Sequence, residues 1–157
     1  MKTRALVRGA DIAPEAIEAQ RADWQKMWLA TQARPWQTLA LLPVDGEIPA
    51  TFTLEVAVQL ARVGMSQLGA QVHVADATTL TFEHSLEFKR QLRETQEDGR
   101  VIVAFAPPAE NELTIPLART VDVVLLCVVL GRARSARAKE IVEGVGVDRF
   151  LGAVTFG

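Results

Sequence analysis

Tyrosine is absent from the 157 residues, cysteine occurs once and histidine twice. Without a tyrosine, the chain cannot be phosphorylated on one. A lone thiol has no partner for an internal disulfide, and Cys127 falls in the middle of the most apolar segment, where a free cysteine is ordinarily buried and inert. His73 and His84 share no ligand spacing with each other or with Cys127, which argues against a metal site built on them. No Gly-x-Ser-x-Gly turn is present, and Ser66, Ser85 and Ser135 all fall in segments that read as helices, so a serine-hydrolase triad is unsupported. Long apolar runs are missing too. The longest, Val123 to Leu130, is far short of the ~20 residues that cross a bilayer. The start, Met1-Lys-Thr-Arg-Ala-Leu-Val-Arg, has no apolar stretch long enough for a signal peptide. An excess of base is also lacking: 17 Lys and Arg stand against 19 Asp and Glu, for a formal charge of -2, which gives no general attraction to nucleic acid. The expectation is a cytoplasmic protein with no membrane span, no metal, no cofactor and no nucleic-acid partner.

What is present is ample apolar material in a regular alternation. Hydrophobic residues make up 49% of the chain, enough for a sheet covered on both faces, and a chain of this length buries ~70% of its unfolded surface in one core. A single domain over 1–157 is therefore expected. Short apolar runs read as strands at 38–43, 71–75, 101–105, 122–130 and 149–155. Helical spacing occupies 13–33, 50–68, 83–94, 112–119 and 135–143. Strand-helix alternation of this kind predicts an α/β fold with a mostly parallel, doubly wound sheet, right-handed crossovers and helices on both faces. The proline-rich segment 106–114 reads as a mobile surface loop.

The most informative stretch is Thr38-Leu-Ala-Leu-Leu-Pro43-Val-Asp-Gly46-Glu-Ile48-Pro49-Ala50-Thr51. It has the layout of a strand, a turn and a helix that a phosphate-binding P-loop uses, in which backbone N–H groups cradle phosphates, a Lys neutralises charge and a Ser or Thr hydroxyl holds Mg²⁺. The loop resembles the Gly-Glu-Gly-Lys-Ser-Thr of bacterial tyrosine kinases and of the wider MinD/ParA group of P-loop ATPases. Gly46, Glu47 and Thr51 match that pattern; Ile48 stands at the second glycine, Pro49 at the lysine and Ala50 at the serine. Pro49 has neither charge nor N–H to offer a phosphate, Ala50 has no hydroxyl for a metal, and the branched Ile48 obstructs a close backbone approach. Pro49 at a first helical position would favour the helix itself.

The resemblance continues in order along residues 15 to 157. Gln71-Val-His-Val-Ala-Asp76-Ala-Thr78 is similar to the family's second strand, which ends in Val-Asp-x-Asp; Asp76 fills the first acidic place and Thr78 replaces the second. Val101-Ile-Val-Ala-Phe105-Ala-Pro107-Pro108 is similar to the Walker B strand, with Phe105 where its metal-binding aspartate falls. The stretch Pro116 to Gly131 resembles the family's helix, aspartate (Asp122) and buried strand. In the last strand, Phe156 occupies the place of an adenine-binding Asn. Phosphoryl transfer rests on positioning and charge stabilisation, so losing the lysine and the metal-binding hydroxyl together removes its basis. The resemblance implies a P-loop NTPase-like fold that has shed its chemistry: a non-catalytic pseudo-ATPase or pseudokinase with no bound nucleotide. By family, it would be a scaffold or regulator in bacterial exopolysaccharide biosynthesis or export. Its expected partner is the cytoplasmic part of a membrane polysaccharide co-polymerase, or another copy of itself, and only such a partner would bring it to a membrane. The alternative is a MinD/ParA-type ATP-binding switch or ATPase that uses unconventional contacts, with Asp76 and Thr51 holding the metal.

If function lies in surfaces, three are candidates. In the first helix, Glu18 and Arg21 match the Glu-x-x-Arg-x-x-Arg pattern by which the tyrosine kinases form rings, while Trp24 replaces its last arginine. The bland reading of Glu18 and Arg21 is a same-helix ion pair worth a few tenths of a kcal/mol, roughly. Trp24, Met27 and Trp28, with Trp36 beyond, form either an interface stripe or a core-facing one. The second surface is basic, Arg132, Arg134, Arg137 and Lys139, at a helix start where cations oppose the helix dipole unless an anionic partner is near. The third is the cleft at the C-terminal ends of the strands, around Gly46, Glu47, Asp76 and Pro107, either filled by side chains or open to a partner's peptide.

Overall fold

The computed structural model describes residues 14–44, 49, 51–131 and 135–156, with side chains from residue 22 onward. Five strands form one sheet: β1 (Thr38–Pro43), β2 (Val72–Ala77), β3 (Arg100–Phe105), β4 (Val123–Val129) and β5 (Phe150–Phe156). Their spatial order is β2-β3-β1-β4-β5, and all four pairings are parallel. The fold class is α/β with a doubly wound parallel sheet. Parallel strands need covered crossovers, and the central ones are accordingly apolar throughout. β1 (TLALLP) is buried at every position, and β3 and β4 nearly so. The edge strands β2 and β5 are partly exposed.

Alternate residues of the strands feed two cores. On one face lie α1 (Pro14–Thr31) and α2 (Phe52–Leu68), packed with Leu39, Leu41, Ile102, Ala104, Leu125 and Cys127. On the other lie α3 (Ser85–Gln96), α4 (Thr114–Ala118) and α5 (Ser135–Val145), packed with Ala40, Leu42, Val101, Val103, Phe105, Val124 and Leu126. The face each helix takes follows from crossover handedness: β1 to β2 runs one way along the sheet, while β2 to β3, β3 to β4 and β4 to β5 all run the other.

Each helix is written locally. The buried residues of α2, Phe52, Thr53, Val56, Ala57, Leu60, Ala61 and Gly64, recur at helical spacing. The helix ends at Gly69, whose left-handed φ of 66° lets its N–H reach the Met65 carbonyl, a conformation a side chain would resist. In α4, Pro116 sits within the first turn, where its missing N–H costs no helical bond. The start of α2 departs from expectation. Pro49 lies before the helix, with its carbonyl accepting from the Phe52 N–H, so Pro49 is not the first helical residue.

At the N-terminal end of the sheet, Asp122 clips two strands together. Its carboxylate accepts from the Gln37 and Thr38 N–H groups at 2.7 and 3.1 Å, and its own N–H donates to Thr38 Oγ1 at 2.8 Å. This aspartate is therefore structural and sits at the end opposite the expected ligand site.

The tryptophan stripe belongs mainly to the core, which corrects the interface reading of Trp28. Only 1% of Trp28 is exposed, and its indole lies directly over Gly64 of α2. Trp36 is buried and meets Trp28 edge-to-face at 5.9 Å. Its indole N–H donates to the Thr31 carbonyl at 2.9 Å, while the Arg100 guanidinium lies 4.8 Å above its ring. Trp24 is half-buried against the same cluster. Among the described residues, no helix is long and apolar enough to cross a membrane.

Candidate functional site

The winding of the sheet reverses between β1 and β3. From β1 the chain leaves toward α2 on one face, and from β3 it leaves toward α4 on the other, so the C-terminal ends of these strands flank the crevice where doubly wound sheets place ligands. Of the loop expected to line it, Gly46, Glu47, Ile48 and Ala50 lie outside the described residues. Pro49 is half-buried, and Thr51 is the exposed residue preceding α2.

Two buried threonines close the β3 side of this crevice. Thr53, in the first turn of α2, donates its hydroxyl to the Phe105 carbonyl at 2.6 Å. Thr114, the first residue of α4, donates to the next carbonyl, Ala106, at 2.9 Å. Helices on opposite faces thus satisfy successive carbonyls at the end of β3. A buried carbonyl left unpaired would cost about 1–3 kcal/mol, so these bonds fix where both helices start. Neither threonine stood out in the sequence, because a threonine near a helix start reads simply as a cap.

The positions that the resemblance assigns to lost chemistry are packed as follows. Phe105 is 1% exposed and belongs to the cluster formed with α3, α4 and α5. Phe156, the last described residue of β5, meets the buried Phe52 edge-to-face with ring centroids 5.0 Å apart. This is favourable aromatic geometry between the end of β5 and the start of α2. Asp76 is exposed on the edge strand, and one of its oxygens is already engaged, accepting from the Thr78 N–H at 2.9 Å and from the Thr78 hydroxyl at 2.6 Å. Thr78 itself is buried. That turn makes Asp76 and Thr78 a local structural pair. Among the described residues, no group of three or more His, Cys, Asp or Glu could hold a metal ion.

Next to the crevice, between the loops that follow β2 and β3, opens a cleft of about 700 Å³ lined by residues 78–82, 106 and 108–113. A side-chain bridge ties its walls: Asn111 Nδ2 donates to the Leu80 carbonyl at 3.0 Å, and Asn111 Oδ1 accepts from the Leu113 N–H at 3.0 Å. With Thr114 bound to Ala106 and the Glu110 N–H donating to the Pro107 carbonyl at 2.8 Å, the segment 106–114 is a pinned turn rather than the mobile loop its prolines suggest. The cleft is assembled from stretches some thirty residues apart, as the 31-residue separation of Asn111 and Leu80 illustrates, which is why it was not legible beforehand.

The remaining candidates are dispersed. Glu18 and Arg21 lie in α1 at positions where side chains are outside the described residues, and Arg132 and Arg134 are likewise outside. Arg137 is half-buried in the first turn of α5. Cys127 is fully buried in β4, and burial pushes its thiol up to about 12, which leaves it protonated and unreactive. No family model matches this sequence, and no curated protein matches it either.

Proposed function

We propose that this chain is a non-catalytic pseudo-ATPase, related to the MinD/ParA and bacterial tyrosine-kinase group, that works as a scaffold or regulator through protein contacts. The observation that carries the reading is the pair Phe105 and Phe156. At the places where the resemblance puts a metal-binding acid and a base-binding amide, the chain has two aromatic rings, one buried in the core and one packed edge-to-face on Phe52. Neither ring offers a carboxylate for a cation or an amide for a purine; an acid at Phe105 would be a buried unpaired charge, and an amide at the half-buried Phe156 would lose the ring contact with Phe52. Pro49 at the lysine position and the engagement of Asp76 by Thr78 support the same reading. Asp76 as half of a metal site, the basis of an ATP-binding switch, would have only its second carboxylate oxygen outside that turn.

The setting we propose is bacterial exopolysaccharide biosynthesis or export. The partner is the cytoplasmic part of a membrane polysaccharide co-polymerase or a second copy of the chain, with the protein in the cytoplasm and at the membrane only through that partner. The test is co-expression with the cytoplasmic segments of a bacterial polysaccharide co-polymerase. Stoichiometric co-purification that persists without nucleotide supports the reading. Association that requires ATP and Mg²⁺ would replace it with the switch.

A further inference from the structure

The cleft between the β2 and β3 loops carries a more specific statement about the partner, and it rests on the reading that the chain acts through protein contacts. One of the most exposed large apolar side chains in the described structure is among its lining residues: Phe82, 80% exposed. Leu86, 76% exposed, follows four residues later in the first turn of α3. Exposed singly, such residues need no explanation, but Phe82 borders a concavity of ligand-binding size whose lining also includes the half-buried Leu80, Pro108 and Leu113.

The charged residues that line the cleft have one sign. Glu110 and Glu112 line the cleft and are exposed, Glu83 adjoins Phe82, and no Lys or Arg is among the lining residues. The bases of α3, Lys89, Arg90 and Arg93, lie outside the lining, and Arg90 is held between Glu87 and Glu94. An anionic occupant, whether a phosphate, a nucleic acid or an acidic membrane surface, would be repelled. A cationic one is attracted, with its apolar part seated against Phe82 and Leu86. The Asn111–Leu80 bridge and the Thr114–Ala106 bond hold the walls in place beforehand, which lowers the ordering cost of binding.

We infer that this cleft is the docking site for a basic, apolar-anchored peptide segment of a protein partner, in which a Leu- or Phe-type side chain packs on Phe82 and Leu86 while a neighbouring Lys or Arg meets Glu110 and Glu112. The test is selection from a random short-peptide library displayed on phage against the intact chain, followed by affinity measurement of the selected peptides by fluorescence anisotropy. The expected result is enrichment of peptides with Lys or Arg beside a large apolar residue. Their affinity should fall about tenfold or more in the double variant Phe82→Ser/Leu86→Ser and again in Glu110→Lys/Glu112→Lys. All four positions are exposed, so far-UV circular dichroism should confirm that the variants are folded. Backbone amide shifts of residues 78–82 and 108–113 should move on titration. Selection without a basic-apolar signature, affinities unchanged in both double variants, or shifts confined to another surface would overturn the assignment. Co-purification with a co-polymerase that survives both double variants would sink this site while leaving the scaffold reading intact.

Discussion

Gly64 offers the sharpest mutational test of how the first two helices meet. A Cβ at this position would lie 2.6 Å from Cη2, 2.7 Å from Cζ3 and 3.0 Å from Cζ2 of Trp28, all well inside van der Waals contact. The indole is buried, wedged between α1 and α2 and held edge-to-face by Trp36, so it has no free rotamer to retreat into. Two effects oppose each other in Gly64→Ala. Alanine is favoured over glycine inside a helix by about 1 kcal/mol. Forcing the ring and the helix apart costs about 1–3 kcal/mol, as overpacking in a rigid core does. The net expectation is a loss of about 0–2 kcal/mol. In a Trp28→Leu background the obstruction is gone, and the same glycine substitution should stabilise by about 1 kcal/mol, so the sign reverses. Urea unfolding of the four proteins followed by far-UV circular dichroism measures the cycle without depending on the tryptophan signal. Should Gly64→Ala stabilise the protein equally in both backgrounds, Trp28 does not pack on α2 and its surface role would have to be reconsidered.

Other expectations follow from single contacts. Thr53→Val keeps the side-chain shape but leaves the Phe105 carbonyl without its hydroxyl donor, and should lower unfolding free energy by about 1–3 kcal/mol in chemical denaturation. Phe156→Asn, which restores an amide at the end of β5, should break the ring contact with Phe52 at a cost of about 1–3 kcal/mol and confer no stabilisation by ATP, as read by thermal melting. For Cys127, burial raises the folded-state thiol from 9.0 to about 12. Its contribution is therefore fully present below pH 9 and is lost as pH rises toward 12, where the unfolded chain ionises first. Stability should fall by on the order of 1 kcal/mol by pH 10, and a Cys127→Ala variant should lack that slope in urea titrations at alkaline pH.

Local elements were largely legible because their signals are local. β1 and β4 read as uninterrupted apolar runs, as strands buried on both faces must, and the spacing of Val56, Ala57, Leu60 and Ala61 marks the buried side of α2 without ambiguity. The boundary near Pro49 was harder to place, since a proline before a helix and one in its first turn look alike in sequence, and only the bond from the Phe52 N–H to the Pro49 carbonyl separates them. The insertion of β1 between β3 and β4 depends on pairings between distant segments, so alternation alone gave the fold class but not this strand order. The fate of the tryptophans was ambiguous for a similar reason. The deciding partner of Trp28 is a glycine 36 positions away, on another helix, as their numbers show. At the candidate site, the threonine bonds to Phe105 and Ala106 and the cleft bridged by Asn111 exist only once β2, β3 and two helices are brought together.

The central claim is that this fold keeps the frame of a nucleotide-binding sheet and no longer holds the nucleotide. The most direct measurement is the melting temperature with and without millimolar ATP and Mg²⁺. Binding at a hundredfold excess over Kd would add ~2.7 kcal/mol, which for a domain of this size raises the melting temperature by about 5–10 °C. The account predicts no shift within error for ATP, ADP or their Mg²⁺ complexes. A rise that keeps growing with the logarithm of ligand concentration, and that is lost when Asp76 is replaced by Asn, would contradict it and identify an ATP-binding switch instead.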